Sequence, residues 1–118
     1  MPKSALIVDD NQGIRILLEE LLTREGCVVK SAASGNEALG ILQSYKPSII
    51  FLDMKMPGMS CVEVVEKIMA MDRTLPIVII SAYDDNQALA KIYKICPHIQ
   101  FISKPFDIFA IRALINQI

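Results

Sequence analysis

Five short apolar runs, each followed by an amphipathic stretch, leave this 118-residue chain few folds to choose from. The runs are Ala5–Val8, Val28–Ser31, Ile49–Leu52, Ile77–Ile80 and Ile99–Ile102. All are rich in Val and Ile and of ordinary strand length. The first, third and fourth carry almost no polar residue, as strands covered on both faces of a parallel sheet do. Pro47, Pro76 and Pro97 stand just before three of the runs. A preceding helix has to end there, because proline restricts the residue before it and lacks the amide hydrogen.

The intervening segments have helical periodicity. Ile14, Leu17, Leu18, Leu21 and Leu22 follow the i, i+3, i+4, i+7, i+8 pattern of one buried stripe, and Gly26 sits where a helix would terminate. Ser34-Gly35-Asn36-Glu37 reads as a capping box opening a helix that buries Ala38, Ile41 and Leu42. Val62, Val65, Ile68 and Met69 form a third stripe, and Leu89, Ile92 and Ile95 a fourth after the acidic Asp84-Asp85. A fifth, capped by Asp107, carries Ile108, Ile111, Leu114, Ile115 and Ile118. The expectation is therefore a three-layer α/β fold of flavodoxin-like type, (βα)5, with right-handed crossovers and a parallel five-stranded sheet of order 2-1-3-4-5. Residues 1–118 are expected to form a single domain with no output domain.

Composition excludes several classes of function. Apolar residues make up 53% of the chain and charged residues 21%, which suits a folded domain. The net charge of −1 argues against non-specific nucleic-acid binding. No apolar run nears the roughly 20 residues that span a bilayer. The start, Met1-Pro2-Lys3-Ser4, enters the first strand without the apolar region of a signal peptide, so a cytoplasmic protein without membrane partners is expected. Cys27, Cys61 and Cys96 are widely spaced and His98 is the single histidine, which reads as buried thiols and a surface imidazole rather than a zinc site.

Ligands of open α/β sheets bind beyond the carboxyl ends of the strands. There the first strand delivers Asp9-Asp10, the third Asp53, the fourth Ser81 and the fifth Lys104-Pro105. Each has a bland alternative. An aspartate after a strand commonly caps a helix, a serine there is commonly a loop hydroxyl, and a lysine is commonly solvated. Their joint arrival at one edge favours chemistry. Three carboxylates with one ammonium resist ionising together unless a cation compensates, and an all-oxygen site suits Mg2+, with Mn2+ or Ca2+ as substitutes. A cation, an ammonium and a hydroxyl around one carboxylate are the parts that phosphoryl transfer to Asp53 needs.

The segments LIVDDN (6–11), FLDMKMPGM (51–59), VIISAY (78–83) and FISKPF (101–106) together resemble the receiver domain of two-component response regulators, and most closely the single-domain receivers of sporulation phosphorelays. The resemblance spans the chain. It implies that Asp53 accepts a phosphoryl group from a phosphohistidine, and that Asp9, Asp10, Asp53 and the backbone carbonyl of Lys55 hold Mg2+. It implies further that Ser81 and Lys104 meet the phosphoryl group and that Phe101 is a switch aromatic. A sporulation-type receiver takes the group from a sensor histidine kinase and passes it to a four-helix histidine phosphotransferase. Docking there would involve Gln12, Gly13, Ile14, Leu17, Tyr83, Pro105 and Phe106, although Ile14 and Leu17 also fit the buried stripe. An aspartyl-phosphate phosphatase is a further implied partner, and a monomer is the expected state. The chain departs from the family at Ser60-Cys61, where Asp-Gly is common, and at Cys96-Pro97-His98, where Gly-Ala is common.

Three function classes compete. One is a Mg2+-dependent phosphotransferase-like relay whose product is an aspartyl phosphate, without small-molecule turnover; its variant is a terminal phosphorylation switch that docks on a protein target. A haloacid-dehalogenase-like phosphatase would need a second aspartate two residues after Asp53, where Lys55 stands. A docking module independent of phosphate would have lost an acidic residue or the lysine.

Overall fold

A computed structural model describes residues 3–56, 58–81, 86–103 and 108–116. Strands and helices alternate along it: β1 Ser4–Val8, α1 Gln12–Arg24, β2 Val28–Ala32, α2 Gly35–Leu42, β3 Ile49–Asp53, α3 Cys61–Met71, β4 Ile77–Ser81, α4 Asn86–Ile95, β5 Gln100–Ser103 and α5 Ile108–Asn116. The strands form one sheet of order β2-β1-β3-β4-β5, every neighbouring pair parallel. This is the expected flavodoxin-like order. The fifth strand begins at Gln100, one residue later than the apolar run implies, because the Ile99 amide turns back to the Cys96 carbonyl at 3.1 Å.

Strand alternation divides the core in two. Leu6 and Val8 of β1, Ile50 and Leu52 of β3, and Ile77 and Ile79 of β4 pack with Ala38 of α2, Val64, Val65 and Ile68 of α3 and Ile92 of α4. Ala5, Ile7, Phe51, Val78 and Ile80 face the other way, onto Leu18 and Leu22 of α1 and Ile111 and Ile115 of α5. Three helices thus cover one face and two the other. The β2 and β5 edges alternate between buried and accessible positions, whereas β3 is buried throughout.

The local chemistry explains the helix ends. Ser34 Oγ accepts the Glu37 amide hydrogen at 3.1 Å, as a capping box requires. Glu37 Oε2 reaches back one residue further than the usual box and accepts from the Ala33 amide, also at 3.1 Å. Ser60 opens α3 by accepting from the Glu63 amide at 3.2 Å. Gly26 ends α1 with φ +86°, a left-handed conformation that costs glycine nothing sterically.

The helical stripes are buried less fully than the sequence implies; Ile41 and Leu42 of α2, for example, are only half-buried. Leu17 does not belong to the buried stripe of α1; it is 43% exposed, beside Ile16 at 54%. The sheet contacts only the arc centred on Leu18 and Leu22, and Leu17 lies a further 100° round the helix. In α3 the buried set gains Cys61 and Val64, and Val62 is only half-buried, because α2 packs against the side facing Val64. Cys27, Cys61 and Cys96 are all buried free thiols, and His98 is an exposed imidazole whose Nε2 lies 3.1 Å from the Leu75 carbonyl oxygen. Asp84-Asp85, Asp107 and Ile118 lie outside the described residues.

Candidate functional site

Pairing between β1 and β3 sets Val8 opposite Leu52, so the next residue along each strand, Asp9 and Asp53, stands at the same level of the sheet's carboxyl edge. The carboxylates of Asp9, Asp10 and Asp53 offer oxygen atoms that all lie within 4.8 Å of one another. Asp9 and Asp53 are 1% and 5% accessible, and Asp10 is exposed. Two carboxylates are thus largely withdrawn from water at the floor of the site, with a third open to solvent above them.

None of the three caps a helix. Asn11 does so, its Oδ1 accepting from the Ile14 amide at 3.1 Å. The bland alternative for Asp9 and Asp10 therefore fails locally. Asp9 Oδ1 accepts from the Asn11 amide at 2.9 Å, closing a tight turn that carries Asp10 over the site. Arg15, one turn into α1, donates from Nη1 to the Asp9 carbonyl oxygen at 2.7 Å. The Asp9 amide continues the β1–β2 ladder to the Ala32 carbonyl at 3.1 Å. Neither Asn11 nor Arg15 stands among the residues the sequence marks for the site. Asn11 was legible as a cap immediately before the periodic stripe; Arg15 reaches a main-chain atom, which leaves no pattern in the sequence.

On the β3 side, Asp53 Oδ1 accepts from the Lys55 amide at 3.3 Å, and the Met54 amide bonds to the Ile80 carbonyl at 3.0 Å. These bonds hold the start of the loop against β4. The Lys55 side chain is exposed. Gly58 turns the loop with φ +88°, and α3 then begins at Ser60 and Cys61. The Cys61 thiol is pushed up to about 12, first by burial and then by the negative charge of Asp53. A thiol held protonated there is not a nucleophile.

The donor set is oxygen throughout and strongly negative, the chemistry that binds hard divalent cations. Among the described residues it is the one cluster able to hold a metal.

The chain matches the response regulator receiver domain family over residues 5–116. It is 36% identical over 117 residues to sporulation initiation phosphotransferase F of Bacillus subtilis, covering 99% of this chain and 94% of that protein. It is 30% identical to the chemotaxis protein CheY of Thermotoga maritima, covering 100% and 98% of the two chains. Among solved structures, a CheY-like response regulator receiver domain from Methanospirillum hungatei superposes with a TM-score of 0.93 at 23% identity, covering 99% of this chain and 93% of that one.

The chain is a response regulator receiver domain. Receivers of two-component systems interact with histidine kinases and phosphotransferases, and they bind Mg2+ at an acidic pocket of the kind formed here by Asp9, Asp10 and Asp53. The Ser81 main chain ends β4 beside Ser103 of β5. Its side chain, together with Tyr83, Lys104, Pro105 and Phe106, lies outside the described residues. Phe101 of this receiver is half-buried on β5, its ring 5.4 Å from that of Tyr93 on α4 and tilted by 59°. On α1, Gln12 and Gly13 are exposed and Ile14 is half-buried. Leu17 and Ile16 are exposed apolar side chains of α1.

Proposed function

We propose that this receiver is a phosphorelay intermediate: Asp53 accepts a phosphoryl group from a histidine kinase and passes it to a histidine phosphotransferase. The observation that carries the reading is the convergence of Asp53 with Asp9 and Asp10, brought about by the β1–β3 register. An Asp53 carboxylate oxygen attacks phosphorus in line, and the P–N bond to the donor imidazole breaks with its electron pair going to nitrogen. In the return step an acceptor histidine nitrogen attacks, and the P–O bond to Asp53 breaks.

Asp9, Asp10, Asp53 and the Lys55 carbonyl would hold Mg2+, which when bound neutralises negative charge on the transferring group. Arg15 and Asn11 keep the Asp9–Asp10 turn rigid, so the carboxylates need no reorganisation as the group arrives. In this reading Ser81 and Lys104 contact the phosphoryl oxygens, and Phe101 repacks as Ser81 engages. Gln12, Gly13, Ile14 and Leu17, with Tyr83, Pro105 and Phe106, form the docking rim for the kinase, the four-helix phosphotransferase and an aspartyl-phosphate phosphatase. The exposure of Leu17 supports this assignment, since an outward leucine has no core role. A role in sporulation initiation is supported by likeness to the Bacillus subtilis phosphotransferase. The second reading, a terminal switch, is favoured by the half-exposed Phe101–Tyr93 pair, an aromatic surface that a target could read.

The test is intact-mass measurement after incubation with Mg2+ and acetyl phosphate. One added phosphoryl group, lost in Asp53→Asn, is expected; a group added equally to that variant would refute the assignment. Adding an unphosphorylated histidine phosphotransferase then separates the readings. Phosphate appears on its histidine in a relay and stays on Asp53 in a terminal switch.

A further inference from the structure

The main chain of Asp9 is tied on both sides. Its amide donates to the Ala32 carbonyl of β2 at 3.1 Å, and its carbonyl accepts from Arg15 Nη1 of α1 at 2.7 Å. Its side chain closes the turn by accepting from the Asn11 amide at 2.9 Å. Of these three bonds, the one from Arg15 has a charged donor and the short length such donors give.

The Asp9 carbonyl belongs to the peptide that joins Asp9 to Asp10. A peptide is planar, so a bond that fixes its oxygen also fixes the nitrogen and Cα of Asp10. From that Cα the Asp10 carboxylate joins the cluster with Asp9 and Asp53. Asp10 is exposed, and among the described residues no hydrogen bond or ion pair holds its side chain. Its place in the cluster therefore comes from the backbone, and Arg15 grips the backbone there.

Arg15 is well placed to act as a fixed support. It is half-buried, and Leu18, three residues on and fully buried, anchors the same face of α1 in the core. The sequence separation is six residues, so the bond ties the turn to the body of the helix rather than to its own neighbours.

Two effects of opposite sign then bear on a cation at the cluster. The positive charge of Arg15 repels it. The fixed Asp9–Asp10 peptide favours it, because the carboxylates are already in place when it arrives, and groups that hold metal ligands in position contribute strongly to affinity. Arg15 donates to a neutral main-chain oxygen, not to a carboxylate, so its part in the site is geometric.

We propose that Arg15 is a positioning residue of the cation site: by fixing the Asp9–Asp10 peptide it raises the affinity of the acidic cluster for Mg2+. It acts through that peptide and is not itself a ligand. This role rests on the reading of Asp9, Asp10 and Asp53 as a Mg2+ site.

The experiment titrates Mg2+ into the 15N-labelled full chain and follows the amide shifts of Asp10, Asp53 and Lys55. The parent should saturate. Arg15→Met should bind about tenfold more weakly, the lower end of the loss when a group behind a metal ligand is removed. Arg15→Lys, which keeps a charged donor, should recover most of that affinity. Amide dispersion in the same spectra shows whether each variant is folded. If Arg15→Met is not, Arg15→Gln, neutral and of shorter reach, takes its place under the same limits. The positioning role is overturned if Arg15→Met binds Mg2+ as tightly as the parent, or more tightly, as loss of a nearby positive charge alone would produce. It is overturned equally if Arg15→Lys is as weak as Arg15→Met. A parent without saturable shifts overturns the cation site itself, and this role with it.

Discussion

Val8 of β1 faces Leu52 of β3 in register, and this single pairing puts Asp9 and Asp53 side by side where the two strands end. A slip of one residue would turn either carboxylate into the opposite layer, because strand side chains alternate. The site therefore depends on the same apolar contacts that hold the sheet together.

Crowding of three carboxylates should show in the stability of the metal-free protein. In chelator, Asp53→Asn is expected to raise the melting temperature by about 4 °C, the equivalent of ~1 kcal/mol of relieved repulsion. Saturating Mg2+ should raise the parent's melting temperature and leave the variant nearly unmoved, because binding stabilises only the state that offers the site. Thermal melts with and without Mg2+ test both; a lower melting temperature for the variant in chelator would count against the crowding.

Two glycines of α2 should respond oppositely to alanine. A Cβ on Gly35 would meet Val64 Cγ2 at 2.6 Å, so Gly35→Ala should cost about 1–3 kcal/mol by overpacking the α2–α3 contact. Gly40 has nothing within 4 Å, and Gly40→Ala should stabilise by about 0.5–1 kcal/mol through helix propensity. Urea unfolding of both variants, and of Gly35→Ala with Val64→Ala, reads the difference; the double variant should recover part of the loss.

Cys61 implies a loss of stability in alkali. Its thiol is raised from 9.0 to about 12, by burial first and Asp53 second. Between those values the folded chain keeps a proton that the unfolded chain has released, so stability falls as pH rises through the window, by up to about 1.4 kcal/mol per pH unit. Cys27 and Cys96 are raised by burial as well and add to the slope. Chemical denaturation of Cys61→Ala across this range should show a shallower alkaline decline than the parent; an unchanged slope would contradict the shift.

Lys3 fastens the last helix. Its Nζ donates to the Ile115 carbonyl oxygen at 2.6 Å, satisfying a carbonyl at the end of α5 with a positive charge. Lys3→Met should cost about 1 kcal/mol and speed amide exchange in the last turn of α5, while Lys3→Arg retains most of the protection. Hydrogen-exchange mass spectrometry of the three proteins decides it.

The strand order and the acidic triad were legible in the letters because both rest on short-range pattern. Apolar runs of strand length separated by helical periodicity allow little but a parallel doubly wound sheet, and such a sheet sends every post-strand residue to one edge. Asp9, Asp10 and Asp53 could be assigned together without coordinates for that reason. Arg15 on the Asp9 carbonyl and the outward Leu17 were decided by tertiary structure. Periodicity marks an apolar arc but not how much of it the sheet covers, and a bond to a main-chain oxygen carries no side-chain signature.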